Sequence, residues 1–564
     1  MKKELKAFFN RNQSRGYKSK DISKKLGFIS EYEYASLKAA IHKLEEEGFL
    51  IKIGKRYQLN KVPPTNKLTG RLEINKNGYG FVIINNGNNN DIFISSGNLG
   101  AALDGDIVEV ELFAKQRGKN LEGQIIRIIK RKRKEYVGKL NKSKSFYFIS
   151  PDDPNIHRDI YINKTRLKGA KTGDKVVVGN LSWDSSMLNP EGEVIEVYGK
   201  AGSVDAEVFS LSREFNLRYK FPKSVLTEAD EISAYISEDE INKRVDYRDK
   251  NVFTIDPDDA KDFDDALSIE KSENGNYSIG IHIADVSYYV KKGSALDQES
   301  SSRGNSVYFV GKVIPMLPEK LSNQICSLIP NKDRLTYSVI VNITPRGKIV
   351  DYKIARTIIN SKRRFTYEEA QKIIEQGNGA FSEDLLLLNK LAQLLRKKRM
   401  REGSFDFISP EVKFKLDENG VPVSIAIKQS LESNMLIEEY MLLANKIVAS
   451  HISSDKQGAV KPFVYRVHDL PDKDKIIEFS RFVKTLGYSF DPNASAKSAS
   501  FQNLLNQIKG KEEEALINEL AIRSMAKAVY STQNIGHYGL GFKYYTHFTS
   551  PIRRYSDLIV HRLL

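Results

Sequence analysis

The segment from Ile255 to Ile269, IDPDDAKDFDDALSI, places six aspartates within ten residues and flanks them with apolar sequence. The segments on either side of the cluster, around Phe253 and Leu267, have the apolar composition of buried strands. The acidic segment is therefore predicted to join two strands. Carboxylates held close together in a poorly solvated place repel one another unless a cation is present. The segment therefore predicts a divalent-metal site, and a solvated acidic loop is the alternative.

The aspartate spacing favours magnesium over calcium and zinc. An EF-hand loop counted from Asp256 would need glycine and glutamate where this sequence has Lys261 and Leu267. The sequence has no set of histidines and cysteines that would indicate a zinc site. Phosphodiester hydrolysis commonly uses two magnesium ions held by carboxylates, and a tight D-F-D-D turn can aim several carboxylates at one point. The predicted ligands are four aspartates: Asp256, Asp262, Asp264 and Asp265.

Composition restricts the class of protein. The 564 residues are 40% hydrophobic and include 88 lysines and arginines against 72 acidic residues, a net charge of +16. This excess favours a polyanionic partner, and an acidic cluster in a basic chain fits an enzyme that acts on phosphodiesters. The sequence has no apolar run of membrane-spanning length and no secretory signal, so we expect a cytoplasmic protein without a membrane partner. The single cysteine, Cys326, is predicted to be a core residue.

Residues 1–60 are predicted to form a winged helix-turn-helix. SKDISKKLGF indicates a short capped helix, EYEYASLKAAIHKLEEEGFL a longer amphipathic helix, and IKIGKRYQL a hairpin around a Lys-Gly turn. Such modules often bind nucleic acid, although the acidic end of the longer helix argues against insertion into a DNA groove. Packing or RNA steering is the preferred interpretation, and sequence-specific DNA binding is the alternative.

An internal repeat follows this module. GYGFVII matches SFYFISP, DIFI matches DIYI, and EGQII matches EGEVI, in the same order along the chain. Short alternating strands with glycine turns predict two small OB-type barrels, at residues 65–131 and 135–200. The basic sequence between them, IIRIIKRKRKEY, favours nucleic acid as partner. Four aromatic residues on strand positions could either stack RNA bases or fill the barrel cores: Phe81, Phe93, Phe148 and Tyr161.

The rest of the chain is predicted to be one large domain. Residues 201–245 are polar, have a helical pattern and are interpreted as a linker region. Residues 246–564 combine strands such as YSIGIHIADVSYYV with helices such as SNMLIEEYMLLANKIVASH, which predicts an α+β domain. The complete fold is thus predicted to be multidomain α+β, with an N-terminal winged helix, two tandem OB-fold barrels and a large α+β catalytic domain.

Two adjacent arginines stand out in THFTSPIRRYSDLIVHRLL near the end of the sequence. Arg553 and Arg554 are permanently charged and lie in otherwise apolar and aromatic sequence, so they need an anionic partner. A substrate phosphate near the metal site and a salt bridge to Asp557 are equally compatible with the sequence.

Taken together, these motifs resemble the bacterial ribonuclease II/R (RNB) family, most closely its ribonuclease R branch. TIDPDDAKDFDDALSI, HIADVSYYV, IPMLPEKLSNQICSL and HFTSPIRRYSDLIVHR match in order, and the similarity covers nearly the whole chain. The resemblance implies a magnesium-dependent, processive 3′-to-5′ exoribonuclease that hydrolyses single-stranded RNA to nucleoside 5′-monophosphates in RNA turnover and quality control. We expect a monomer. The alternatives are a catalytically impaired RNA-binding or remodelling protein and a winged-helix transcription regulator.

The resemblance also implies residue roles in catalysis. The four aspartates named above match the family's catalytic aspartates, and Asp264 is the one whose loss should most directly remove chemistry. Arg553 matches an arginine expected to stabilise charge on the scissile phosphate. Family members continue beyond the last motif with more catalytic-domain helices and a C-terminal RNA-binding barrel. Because this sequence ends at Leu564, we expect a catalytic domain that is incomplete at its C-terminus, without that barrel.

Further matched residues imply contacts with RNA. Tyr308 matches an aromatic residue that stacks near the 3′-terminal nucleotides, and Tyr367 matches a tyrosine implicated in sugar recognition. Either Glu438 or Glu439 matches a glutamate that contacts ribose, whose 2′-hydroxyl distinguishes RNA from DNA. The sequence does not show which of these two glutamates has that role.

Overall fold

The chain folds as two units, Met1–Asn216 and Leu217–Leu564. The computed structural model describes residues 1–12, 15–28, 30–46, 49–59, 67–75, 77–84, 91–113, 121–156, 158–183, 188–407, 411–417, 420–428, 430–453, 462–492 and 499–564. Each unit has hydrophobic cores of its own, and the acidic segment lies in the second unit.

Three helices and a hairpin begin the first unit: α1 (Lys2–Arg11), α2 (Ser19–Leu26), α3 (Glu31–Glu46), β1 (Leu50–Ile53) and β2 (Arg56–Leu59). Leu37, Ile41 and Leu44 recur at helical spacing on α3 and are buried in the core shared with α1 and α2. Tyr17 pairs with Tyr57 beside the hairpin. The predicted helices and hairpin are present, and the winged helix-turn-helix assignment itself stays a prediction.

Two closed five-stranded barrels follow. The first consists of β3 (Lys67–Ile74), β4 (Gly80–Ile83), β5 (Ile92–Ile94), β6 (Ile107–Leu112) and β7 (Leu121–Lys130). The second consists of β8 (Tyr136–Lys142), β9 (Tyr147–Pro151), β10 (Ile160–Ile162), β11 (Asp174–Ser182) and β12 (Glu191–Lys200). Their strand orders, β5-β7-β6-β3-β4 and β10-β12-β11-β8-β9, are the same, which confirms the two predicted OB-type barrels. Gly70 and Gly138 occupy equivalent strands where a Cβ atom would collide with a neighbouring carbonyl oxygen.

The segment after the second barrel is helical: α4 (Val204–Glu214), α5 (Lys223–Glu231) and α6 (Glu238–Ile241). The first of these helices packs on the second barrel. Lys175 on β11 lies 2.9 Å from a carboxylate oxygen of Asp152 in the barrel and 2.9 Å from one of Glu207 in α4. This buried lysine therefore ties α4 to the barrel.

A seven-stranded mixed sheet forms the centre of the second unit. Its strands are β13 (Val245–Tyr247), β14 (Val252–Asp256), β15 (Asp265–Lys271), β16 (Tyr277–Ala284), β19 (Asp333–Ile343), β20 (Ile349–Asn360) and β21 (Arg363–Thr366). A separate hairpin, β17 (Val307–Phe309) and β18 (Lys312–Ile314), lies between β16 and β19 in the chain. The sheet order is β13-β20-β19-β16-β15-β14-β21, and only the two edge strands pair in parallel with their neighbours.

Helices cover both faces of this sheet. One face packs on α9 (Tyr367–Gln376), α10 (Ser382–Arg401) and α11 (Glu432–Ser453). The other face packs on α5, α7 (Val286–Tyr289), α8 (Ala295–Arg303), a π-helical turn (Lys320–Ile325) and α15 (Tyr555–Leu563). Strand residues alternate between the two cores, with Val252 in the second and Phe253 in the first. Cys326 is buried in the second core, as predicted.

Smaller elements complete the second unit: the hairpin β22 (Glu411–Leu416) and β23 (Pro422–Lys428), the strand pair β24 (Tyr465–Val467) and β25 (Val529–Ser531), and the helices α12 (Lys473–Thr485), α13 (Ala499–Ile508) and α14 (Glu514–Ser524). These three helices share an aromatic core that includes Phe479 and Phe501. Across the described ranges, every helix is too short or too polar to cross a membrane.

Candidate active site

The aspartate loop joins two neighbouring antiparallel strands. Because Asp256 ends β14 and Asp265 begins the antiparallel β15, both residues lie where the same ends of these two strands meet. The buried Ser327 hydroxyl accepts a hydrogen bond from the backbone N–H of Phe263 and donates one to the carbonyl oxygen of Lys261. The intervening loop is therefore anchored from within the protein, as expected for a site rather than for a solvated acidic loop.

Burial and mutual repulsion perturb the aspartates. Burial raises the pKa of Asp256 to about 8, and the charges of Asp265 and Asp262 contribute to the rise. Burial also raises the pKa of Asp265 to about 6, although Arg553 opposes this shift. The pKa of Asp264 is likewise raised well above its ordinary value by burial, with Asp262 and Asp265 contributing. The four carboxylates are thus close enough to interact, and full ionisation at neutral pH would require a compensating cation.

The donor set fits magnesium in its chemistry. Oδ2 of Asp256 and Oδ2 of Asp264 are buried and have no hydrogen-bond partner among the described residues. Buried carboxylate oxygens without partners are costly, and a cation that prefers oxygen ligands would satisfy them. As the side chains stand, no group of three or more histidines, cysteines, aspartates or glutamates in the described ranges is arranged to hold a metal ion. Holding an ion would therefore require these carboxylates to turn toward it.

The two adjacent arginines have different partners. Arg554 forms two hydrogen bonds of 2.9 and 2.8 Å with the buried Asp557, which is the salt bridge that the sequence allowed. Arg553 instead places its Nε 3.6 Å from Asp264 Oδ2, and its side chain is 42% exposed. The backbone N–H of Ile552 donates to Oδ1 of the same aspartate at 2.9 Å. Arg553 is therefore the arginine that faces the aspartate cluster.

Both tyrosines matched by the family resemblance adjoin this cluster. Tyr308, on the hairpin of β17 and β18, is 53% exposed and donates its hydroxyl proton to Asp262 Oδ2 at 3.0 Å. Tyr367 begins α9, directly after the residue that pairs with Asp256 across the strands. Burial raises the pKa of Tyr367, and Asp265 and Asp256 contribute. Both rings are therefore placed beside the carboxylates.

The two neighbouring glutamates differ in exposure. Glu439 is 3% exposed, and its carboxylate receives a 2.6 Å hydrogen bond from the buried Arg399 guanidinium. Glu438 is exposed. It also lies one helical turn after Asn434, whose side chain adjoins Tyr367. Of the two glutamates, Glu438 is therefore the one that a substrate bound at Tyr367 could reach.

The predicted barrel aromatics lie outside the barrel cores. Each barrel carries three clustered rings: Tyr79, Phe81 and Phe93 in the first, and Phe146, Phe148 and Tyr161 in the second. Neighbouring ring centroids are 5.0 to 6.0 Å apart. Tyr79 and Phe146 were not identified from the sequence, although each lies two residues before a predicted aromatic on the same side of the strand. The aromatic side chains thus form a platform on each barrel.

Arg364 is a site residue that sequence reasoning missed. It lies on β21, beside β14, and its Nη2 donates to the carbonyl oxygens of Pro257 and Asp258 in the aspartate loop. Its charge also opposes the rise in the pKa of Asp256. No signal in RRFTY marks this arginine, because its role depends on pairing between strands that are distant in the chain. Arg364 therefore holds the loop that carries the aspartates.

Replacing Arg364 with lysine is expected to reduce activity about 10- to 100-fold, by analogy with residues that support metal ligands. Lysine keeps the charge, but its flexible side chain lacks the rigid guanidinium plane that fixes the Nη2 protons toward the two loop carbonyls. Arg363→Lys is the matched control, because its guanidinium lies over Phe365 instead of the loop. Equal effects of the two substitutions would contradict a loop-holding role.

Three family models match the chain. Residues 244–564 match the RNB domain, residues 70–128 the ribonuclease B OB domain, and residues 148–222 the cold shock domain. Ribonuclease R of Thermotoga maritima is 38% identical over 572 residues, which cover 100% of this chain and 79% of that protein. Ribonuclease R of Aquifex aeolicus is 36% identical and covers 96% of this chain and 76% of that protein.

Solved structures show the same fold. Mycoplasma genitalium RNase R in complex with ribose-methylated single-stranded RNA has a TM-score of 0.78 and 28% identity, covering 88% of this chain and 79% of that chain. The same protein in complex with double-stranded RNA has a TM-score of 0.73 and 28% identity, covering 82% of this chain and 80% of that chain.

Proposed function

Because this chain belongs to the RNB family and is a 3′-to-5′ exoribonuclease, we propose that it hydrolyses single-stranded RNA processively with magnesium. The proposed products are nucleoside 5′-monophosphates, and the proposed role is RNA turnover and quality control. The observation that carries the proposal is the aspartate cluster, in which two buried carboxylate oxygens have no hydrogen-bond partner in the described structure. The predicted monomer and cytoplasmic location stay predictions.

The aspartates are the proposed metal ligands: Asp256, Asp262, Asp264 and Asp265. When bound there, magnesium would activate the attacking water and stabilise the leaving oxygen. The protein's contribution is to gather carboxylates at the end of adjacent strands and to keep them out of bulk water. The backbone N–H of Ile552 holds one oxygen of Asp264 and leaves the other available.

Arg553 is proposed to bind the scissile phosphate. Its guanidinium is always charged, partly exposed and adjacent to Asp264. Ser550 fixes its orientation, since Nη2 of Arg553 donates to the serine hydroxyl oxygen at 2.9 Å. A preorganised cation beside the carboxylates would stabilise the negative charge that grows on the phosphate oxygens during hydrolysis.

RNA recognition is proposed to use the residues around this centre. The exposed ring of Tyr308 would stack on a base near the 3′ end, and its hydroxyl would retain Asp262 as partner. Tyr367 and Glu438 would contact ribose, where the 2′-hydroxyl can be both donor and acceptor. The aromatic platforms of the two barrels would stack further bases.

Glu438→Gln and Glu439→Gln are expected to have different effects. Loss of the exposed Glu438 carboxylate should reduce the preference for RNA over DNA of the same sequence by about tenfold, because a charged acceptor for the 2′-hydroxyl is lost. Loss of the Glu439 carboxylate should instead destabilise the fold by about 3 kcal/mol, because the buried Arg399 would lose its closer carboxylate and keep only Asp406. The measurements are hydrolysis rates on paired RNA and DNA oligonucleotides, and denaturant unfolding. Interchanged effects would contradict the assignment.

Stability without magnesium is expected to decrease as the pH rises. In the folded protein the pKa of Asp256 is raised from 3.8 to about 8, and that of Asp265 from 3.8 to about 6. Between pH 3.8 and about 8 the folded protein therefore binds more protons than the unfolded chain. The cluster's contribution to the free energy of unfolding therefore falls as the pH increases through that window.

Magnesium should reverse this loss by neutralising the ionised carboxylates. A magnesium concentration 100 times the dissociation constant at pH 8 would raise the unfolding temperature of the second unit by about 4 °C at that pH. The same concentration would raise it by less at pH 6, where binding is weaker. Thermal denaturation with magnesium or EDTA measures the difference, and Asp264→Asn is expected to reduce it. An equal magnesium effect at both pH values would contradict the expectation.

The proposed function is tested with a 5′-labelled single-stranded RNA incubated with magnesium or with EDTA. Progressive shortening to a small 5′-terminal oligonucleotide, with release of nucleoside 5′-monophosphates only when magnesium is present, would support it. Tight binding without hydrolysis would favour the catalytically impaired RNA-binding protein instead. Hydrolysis that continues in EDTA would contradict the metal requirement.

A further inference from the structure

A guanidinium, a phenol and an imidazole adjoin one another on the small sheet of β24 and β25. Arg466 and Tyr530 are cross-strand partners, and the Arg466 guanidinium lies 4.7 Å from the centroid of the Tyr530 ring. The Tyr530 hydroxyl and His547 Nδ1 are 2.7 Å apart. These three side chains, which we call the Arg466 group, come from different parts of the chain and form one continuous surface.

The Arg466 group adjoins the arginine proposed to bind the scissile phosphate. Burial is the main reason that the pKa of His547 falls to about 4. The charges of Arg554, Arg466 and Arg553 contribute to the fall, and the charge of Asp557 opposes it. These contributions require the guanidiniums to lie near the imidazole. His547 and Arg553 also lie on one short segment of the chain. Within it, the Ser550 hydroxyl accepts a hydrogen bond from Arg553, and the Ser550 N–H donates one to Asp557.

The chemistry of the Arg466 group suits an anion. An imidazole that accepts the tyrosine proton at Nδ1 carries its own proton on Nε2 and can donate it. Neither His547 Nε2 nor the Arg466 guanidinium has a hydrogen-bonding or ionic partner in the described ranges. Because no carboxylate in the described ranges neutralises Arg466, its charge creates a local positive potential that favours a negatively charged ligand.

We propose that Arg466, Tyr530 and His547 form a phosphate-binding site for the penultimate linkage of the RNA, an assignment that rests on the proposed function. Only one phosphate joins the 3′-terminal nucleotide to the strand, and that is the scissile phosphate at Arg553. The next phosphate toward the 5′ end is therefore the anion that the Arg466 group would bind. Holding it fixes the position of the strand, so that one linkage at a time lies at the aspartates.

Single methylphosphonate linkages test this proposal, because they remove one phosphate charge without shortening the RNA. Binding is measured by fluorescence anisotropy in an Asp264→Asn background, with the neutral linkage at each position near the 3′ end. In this background, the protein that retains Arg466 should bind RNA with a neutral penultimate linkage about tenfold more weakly than unmodified RNA. Arg466→Gln should bind unmodified RNA about tenfold more weakly and be insensitive to that linkage, and its salt dependence should decrease by about one charge.

Turnover provides a second measurement in the protein with intact aspartates. Arg466→Gln should raise KM about tenfold and change kcat less than about twofold, because it removes binding distant from the reacting atoms. Tyr530→Phe removes only a hydroxyl from an exposed ring, and it should weaken the same linkage-specific binding by about threefold. Arg466→Lys should recover part of the affinity.

Arg346→Gln is the matched control. Arg346 is an exposed cation in the turn between β19 and β20. This turn lies at the opposite end of the sheet from the aspartates, because Ile343 pairs with Tyr277 whereas Asp265 pairs with Ile283. Arg346→Gln should retain the sensitivity to the penultimate linkage.

An absence of linkage-specific loss in the Asp264→Asn protein that retains Arg466, or the same loss after Arg466→Gln, would overturn the phosphate site. Failure of the proposed function would look different, because the wild-type protein would then not hydrolyse unmodified RNA with magnesium. Normal hydrolysis together with uniform sensitivity to every linkage would contradict only the phosphate site.

Discussion

Replacing Asp264 with asparagine is expected to reduce the rate of RNA hydrolysis by at least about 10³-fold while RNA affinity changes by less than about threefold. Asp264 is 5% exposed, and its Oδ1 accepts a hydrogen bond from the backbone N–H of Ile552. The amide oxygen of asparagine can retain that bond, so the loop should keep its conformation. The negative charge at Oδ2, where a cation would bind, is lost.

Asp258→Asn is the matched control for this variant. Asp258 belongs to the same loop and undergoes the same change of chemistry, but its side chain is 80% exposed. Its replacement should leave kcat within about twofold of the wild type, because its 4.0 Å contact with Arg364 is exposed to solvent and contributes little. Steady-state hydrolysis and binding of one labelled RNA measure both variants. Equal losses, or an active Asp264→Asn variant, would contradict the role assigned to Asp264.

Replacing Arg553 with glutamine is expected to lower kcat about 10²- to 10³-fold, the usual effect of losing one preorganised group that stabilises a charged transition state. KM should change little, because the Arg466 group and the barrels still bind the strand. The unfolding temperature should also be nearly unchanged, since the guanidinium is partly exposed and lies 3.6 Å from Asp264.

Arg554→Gln provides the contrast for this second variant. Arg554 is bound twice to the fully buried Asp557, so its loss leaves a buried carboxylate without its cationic partner. A stability loss of about 3 to 5 kcal/mol is expected. Kinetics and denaturant unfolding of both variants separate the two roles. A large stability loss in Arg553→Gln without a fall in kcat would show that Arg553 is structural.

The sequence predicted the architecture where local patterns repeat. Alternating residues, glycine turns and the internal repeat predicted both barrels, and the structure confirms them with identical strand orders. Sheet order in the second unit was not accessible in this way. β21 lies beside β14 although about a hundred residues separate them, and no local pattern specifies such a pairing. For that reason Arg364 could not be identified from the sequence.

The site was predictable in composition and less so in geometry. The acidic spacing predicted a carboxylate cluster at the end of a strand, and the structure brings the four aspartates together there. Adjacent residues of the same type could not be separated. The members of each pair differ only in the side of the chain on which they lie, and tertiary packing decides which member forms the buried ion pair. In the structure these members are Arg554 and Glu439.

Manganese binding measured by electron paramagnetic resonance tests most directly whether the aspartates form a divalent-metal site. Manganese takes the same oxygen ligands as magnesium, and its free ion gives a signal that disappears on binding. The wild-type protein should remove free manganese from solution, magnesium should compete, and Asp256→Asn and Asp264→Asn should each weaken binding at least about tenfold while Asp258→Asn does not. Equal manganese binding by the wild type and both buried-aspartate variants would contradict the metal site.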